Sequence, residues 1–250
     1  MAVSEIIGID CATQPDRVGL ALAKRDGDAW VFESVCTGST RRLPVDIVAR
    51  WILQRSGPLL LALDAPLGWP DALGKTLIAH LAGAPVAEAA NRLFRRETDR
   101  AVRRITGKQP LDVGAGWIAR TAHWALAFLA ELRQQSGLDI PLVWNREVVD
   151  VGAIEVYPAA TLIGHGVEIT GYKNVKNVER REAVLAKLAQ YFVIETFQEM
   201  LLTGPDVLDA CLCVLAGLDF LRNDALPPGV HLETAKREGW IWFKGGMMKL

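Results

Sequence analysis

Three short acidic signatures carry the chemistry that this sequence offers. Ile6-Ile7-Gly8-Ile9-Asp10 is an apolar run ending in a carboxylate, and Leu59-Leu60-Leu61-Ala62-Leu63-Asp64 repeats the design. Asp206-Val207-Leu208-Asp209-Ala210 opens an apolar helical pattern with two more acids. Carboxylates gathered at one place hold hard divalent cations such as Mg²⁺ or Mn²⁺, which prefer oxygen ligands. Two such ions ~4 Å apart activate water and stabilise the leaving oxygen of a phosphodiester. Without metal, the same carboxylates repel one another and bind protons more tightly.

Each acid also has a plainer reading. Asp10 and Asp64 stand where aspartates cap turns, and Asp64 runs into Ala65-Pro66-Leu67-Gly68. Asp206 follows Gly204-Pro205, a helix start, where an acid meets the helix dipole favourably. The combination is more specific than its parts. Adjacent strands would bring Asp10 and Asp64 to one sheet edge, and Asp206 and Asp209, three apart on a helix, share a face. Ala210, Cys211 and Cys213 are small enough to let that helix approach the sheet. Glu155, inside Ala153-Ile154-Glu155-Val156-Tyr157, is a further candidate catalytic acid; its direction depends on strand register, and an Arg or Lys could satisfy it instead.

These acids need elements to position them. Strands are expected at 5–10, 18–23 and 30–36, the last two joined through the Asp26-Gly27-Asp28 turn, which together suggest a meander. A helix over 45–55 stops at Gly57-Pro58 and leads into a strand at 59–63 that reads as buried on both faces. The order strand-strand-strand-helix-strand differs from the strict alternation of a dinucleotide-binding fold. Residues 70–150 read as a helical insertion, with an Arg-rich amphipathic helix over 86–106 and a more apolar one over 117–135. Further helices are expected at 178–192 and 206–221, and a short strand at 240–243. One domain spanning 1–250 with this insertion is the simplest account.

The bulk composition limits the partners. Net charge is −1, so attraction to nucleic acid requires a local basic patch. Seven positive residues between Arg92 and Lys108, opposed by Glu97 and Asp99, supply a local excess of +5. Arg92, Arg96, Arg100, Arg103 and Arg104 form a helical stripe suited to phosphates, although a solvated face laced with ion pairs has the same spacing. Lys173, Lys176, Arg180 and Arg181 make a weaker second patch. Trp69, Trp117 and Trp144 could stack on bases, but the expectation for large aromatics is burial. The four cysteines lack zinc spacing and read as small residues of a reducing compartment. No run approaches the ~20 apolar residues that span a bilayer, and no signal-peptide pattern is present, so a cytoplasmic protein is expected. A homo-oligomer is compatible with everything above.

With these residues in hand, the chain resembles the ribonuclease H-like superfamily through its strand-strand-strand-helix-strand order, Gly8-Ile9-Asp10, and the helix Asp206-x-x-Asp209-Ala210. That last helix is similar to the one in RuvC-type Holliday junction resolvases. More closely, Leu63-Asp64-Ala65-Pro66-Leu67-Gly68, Glu155-Val156-Tyr157-Pro158 and Tyr172-Lys173 resemble a family of predicted nucleases catalogued as domain of unknown function 429. The resemblance implies a mixed sheet flanked by helices and a metal-dependent nuclease, with Asp10, Asp64 and Asp209 as metal ligands and Asp206 beside them. Two other readings remain open: an ATP-binding kinase-like enzyme of related fold, which usually carries a second meander and glycine-rich loops, and a non-catalytic nucleic-acid-binding protein.

Overall fold

The computed structural model describes residues 2–114 and 116–245. Its framework is a seven-stranded mixed sheet. The chain enters through β1 (Glu5–Asp10), β2 (Gly19–Asp26) and β3 (Ala29–Thr37), an antiparallel meander whose middle strand is β2. Helix α1 (Pro44–Leu53) then returns the chain to β4 (Leu59–Asp64), which lies parallel to β1 on its other side. Between β4 and the next strand come four helices: α2 (Asp71–Leu77), α3 (Ala90–Phe94), α4 (Glu97–Thr106) and α5 (Gly116–Ser136). Strand β5 (Val151–Val156) joins β4 in parallel. Helices α6 (Pro158–Gly164) and α7 (Val178–Leu188), the two-residue β6 (Phe192–Val193), α8 (Gln198–Thr203), α9 (Pro205–Leu221), α10 (Leu232–Glu238) and β7 (Ile241–Trp242) complete the chain. The sheet order is β6-β3-β2-β1-β4-β5-β7, and only β2 runs against the rest.

Strands β1 and β4 are apolar between Ile6 and Ile9 and between Leu59 and Leu63 because both of their faces are covered there. On one face Ile7, Ile9, Leu61 and Leu63 pack against α1 and against Ala125, Phe128, Leu129 and Leu132 of α5. On the other face Ile6, Leu60 and Ala62 meet α9. Helix α9 is buried along most of its length, which explains why its sequence is apolar all round apart from its acids.

The approach of α9 is unusually close. A Cβ built on Gly8 would lie 2.0 Å from the Ala210 carbonyl oxygen, and one on Gly19 would lie 2.0 Å from that of Asp206. No side chain fits at either position. The small residues of α9 account for half of this packing; the glycines on the strands facing it supply the other half.

The Arg-rich segment is not one helix. The chain breaks at Arg95 and Arg96, both extended, and Arg96 becomes the N-cap of α4 while the Asp99 side chain accepts a hydrogen bond from its backbone N–H. The hold of the Asp99 carboxylate on the Arg96 backbone N–H and guanidinium outweighs continuation of the helical spacing. The helix expected over 178–192 ends at Leu188, ahead of β6. Among the described residues, no helix is long and apolar enough to cross a membrane.

Candidate metal centre

Register builds the first half of the site. In the parallel β1–β4 pair Asp10 lies directly opposite Asp64, at the carboxyl ends of both strands. Side chains alternate along a strand, so Asp10 shares a face with Ile6 and Gly8, and Asp64 with Leu60 and Ala62. That is the face α9 covers. Helix α9 starts at Gly204-Pro205, and its first turns carry Asp206 and Asp209 over the strand ends. One carboxylate oxygen each from Asp10, Asp64 and Asp209 lies within 4.8 Å of the other two. Three carboxylates converge.

The same alternation removes Glu155. It pairs with Leu63 rather than with Asp64, which turns it toward the opposite face of the sheet. There Arg96 grips it with two hydrogen bonds, Nη1 to Oε2 at 2.8 Å and Nη2 to Oε1 at 2.7 Å, and the Leu67 N–H donates to Oε2 at 3.0 Å. The expectation that Glu155 takes part in catalysis is therefore corrected: its oxygens are engaged in a buried ion pair. The correction extends to Arg96, which is 1% exposed and also bound to Asp99, and so cannot meet a polynucleotide.

Asp206 stands one turn before Asp209 and outside the convergent set; it is 21% exposed and faces Arg17 at 3.7 Å. Arg92 is largely exposed, loosely paired with Glu88 at 3.5 Å, and Arg103 is exposed. Arg100 is tied to Glu97 at 2.6 Å and to the Arg95 carbonyl at 2.8 Å. The basic stripe is thus interrupted in the middle. In the second basic patch Arg181 is buried and donates to the carbonyls of Leu201, Leu202 and Tyr172.

Lys173 lies nearer the three acids than its expected role of phosphate contact implied. Its Nζ pairs with Asp209 Oδ2, and the adjacent Tyr172 hydroxyl donates to Asp209 Oδ1 at 3.0 Å. Arg181 holds the Tyr172 carbonyl, so the loop between α6 and α7 is fastened from behind. Asp64, Tyr157, Tyr172, Lys173 and Lys108 line a cleft of about 230 Å³ beside the acids. The roles of Tyr172 and Lys173 were hidden in the sequence, because nothing local links them to a helix that begins more than thirty residues later.

The electrostatics follow from burial and like charge. Burial raises the Asp10 carboxyl well above its ordinary value, and Asp209 and Asp64 push it further. Asp64 is raised to about 7, again first by burial, with Lys173 opposing and Asp209 adding to the rise. Asp209 is raised by burial against the pull of Lys173 and Tyr172. Burial disfavours the Lys173 ammonium, but the Asp209 and Asp64 carboxylates more than compensate and hold its pKa above the usual lysine range. Tyr157 is pushed up to about 12 by burial and by Asp64. Three acids and one lysine leave the cluster short of positive charge. An all-oxygen donor set of this kind suits Mg²⁺ or Mn²⁺ better than a soft metal.

The family description "Protein of unknown function (DUF429)" matches residues 8–231. This chain belongs to that family. The matched span holds all three convergent acids together with Tyr172 and Lys173. Among curated proteins, none matches this chain.

Proposed function

We propose that this DUF429 protein is a divalent-metal-dependent phosphodiesterase, and specifically a nuclease, centred on Asp10, Asp64 and Asp209. The observation that carries this reading is the convergence of three carboxylates within 4.8 Å, on two neighbouring strand ends and a buried helix. A sheet in which β2 alone runs against β3, β1, β4 and β5, with the meander first, supports the ribonuclease H-like arrangement that the sequence resemblance implies.

The donors fit a hard cation, since every ligand atom is a carboxylate oxygen and the group carries more negative charge than Lys173 can neutralise. Bound there, Mg²⁺ or Mn²⁺ would supply an activated water and charge neutralisation at the leaving oxygen of a phosphodiester. Asp10, Asp64 and Asp209 would hold the ion. Tyr172 fixes the Asp209 carboxylate by its hydrogen bond, and Arg181 fixes Tyr172. Lys173, 59% exposed along its side chain and paired with Asp209, would be placed to meet a substrate phosphate. Asp206 stays at hand on the next turn of α9. Of the basic stripe, Arg92 and Arg103 remain as solvent-facing phosphate contacts.

The test is cleavage of labelled single-stranded, duplex, hybrid and branched DNA and RNA with Mg²⁺ or Mn²⁺, run beside Asp10→Asn prepared identically. Metal-dependent cleavage that the variant lacks is the expected result. Equal activity in the two preparations, or none in either, would sink the proposal.

A further inference from the structure

A second concave surface lies on the α5 side of the sheet, opposite the face that carries the acids, and has none of their negative charge. The loop that follows Asp10 reaches Thr13, and Thr13 forms one wall of a groove of about 890 Å³ whose other walls come from the first half of α5. Trp117, Arg120, His123 and Trp124 line it, and among the described residues no acidic side chain does. Trp117, Arg120 and Trp124 recur at helical spacing and so share one face.

The two tryptophans differ in their support. Trp124 stacks on Phe128, with ring centroids 4.9 Å apart and planes inclined at 21°, and it packs on the core below the sheet. Trp117 is 85% exposed, against the expectation of burial that its size suggested. A tryptophan is seldom left in water on a helix without something to cover it. Bare apolar packing would not explain the company of Arg120 and His123, both exposed, in the same groove.

We infer that this groove is a single-strand subsite, in which unpaired bases stack on Trp117 and Trp124 while Arg120 takes a backbone phosphate, with Thr13, three residues after Asp10, at its edge. The inference rests on the nuclease reading of that centre and adds the substrate class, a polynucleotide with unpaired bases. An aromatic ring stacks on any base, so the subsite is sequence-tolerant. A duplex hides its bases from such a platform. The one arginine gives the phosphate contact a bidentate geometry and a salt dependence.

Binding separates this inference from catalysis. Tryptophan fluorescence is titrated, in chelator and without divalent metal, with single-stranded oligothymidylate and oligouridylate of about twelve nucleotides, a length within the span of known single-strand sites. The expected results are quenching on binding, with Trp117→Ala weakening affinity about tenfold, the scale of a lost stacking contact. Trp117→Phe keeps most of the affinity. Arg120→Ala lowers the slope of log affinity against log salt by about one. An abasic strand of the same length binds more weakly than either base-bearing strand, and comparison of the two titrations shows whether DNA or RNA is preferred. Equal binding of the abasic strand or a duplex, or a Trp117→Ala protein that binds as well as wild type, overturns the inference. Loss of cleavage in Asp10→Asn with unchanged oligonucleotide binding by Trp117→Ala would leave the nuclease standing and the subsite refuted. Specific strand binding by a protein that cleaves nothing would do the reverse.

Discussion

Two clusters of buried charge share the carboxyl-terminal end of the sheet, and they are built on opposite principles. In one, Arg96 sits between Glu155 and Asp99, and its guanidinium and backbone donors reach both carboxylates. The neighbouring Glu238 carboxylate accepts from the Asp71 and Glu97 backbone N–H groups, which ties α10 to the starts of α2 and α4. Every charge there has a partner. In the other cluster, three carboxylates face one another and, among the described residues, the tyrosine and lysine that reach them both end on Asp209. A satisfied cluster holds elements together; an unsatisfied one is a standing destabilisation that a bound cation or proton relieves. The contrast distinguishes a structural acid, Glu155, from the candidate catalytic acids one strand away.

Removing the central charge of the satisfied cluster should have the largest effect. Arg96→Ala leaves Glu155 and Asp99 buried without a cation and is expected to cost about 3–5 kcal/mol. Urea unfolding would measure it, and a change below about 1 kcal/mol would mean that this network does not hold the fold.

The unsatisfied cluster should respond with the opposite sign. Asp10→Asn removes one of three repelling charges, so at neutral pH the metal-free variant is expected to be more stable than wild type by on the order of 1 kcal/mol, the scale of one pKa unit. The same substitution should shrink the rise in Tm that Mg²⁺ or Mn²⁺ gives the wild-type protein. A variant less stable than wild type without metal would erase the distinction between the clusters.

The smallest effect is one of pH. Asp64, raised to about 7, and Asp10 and Asp209, also raised, hold protons more tightly folded than unfolded. Their contribution to stability is therefore full below the ordinary aspartate value near 3.8 and is lost as pH rises through about 7. Between pH 5 and pH 8 the Tm of metal-free wild type should fall relative to that of Asp10→Asn, and added divalent metal should raise it more at pH 8 than at pH 5. Differential scanning fluorimetry across that range would show it; a gap between the two proteins that ignores pH would contradict the assigned proton affinities.

The sequence carried the positions of Asp10, Asp64 and Asp209 well, because an acid closing a run of buried residues is conspicuous and strand or helix period fixes its direction. It carried Glu155 badly. Its role depends on Arg96, 59 residues away, and on a register in which Leu63, not Asp64, is its neighbour. The Arg stripe failed for a related reason: helical spacing is visible in a string of letters, whereas the break after Phe94 and the cap that starts a new helix at Arg96 are formed by geometry. Trp117 failed in the other direction, since average burial says nothing about a particular helix face. The meander, α1, α5 and α9 fell within a few residues of expectation, while the short α2, α6, α8 and α10 have too few turns to show a period.

The contact of α9 with the strands through Gly8 and Gly19 also bears on how the acids keep their spacing. Where two elements meet through side chains, the gap between them follows whichever rotamers fill it, and a changed side chain can widen it by degrees. Here main chain touches main chain, so the gap has a hard stop. The distance from Asp209 to the strand-borne pair is inherited from backbone dimensions, which are the same in every protein. One methyl group at residue 8 would meet the Ala210 carbonyl oxygen and Val214, and would lift the helix off its seat. The tolerance of this site to sequence drift is accordingly narrow on both sides of the contact, and narrowest on the strand, where not even a methyl group fits.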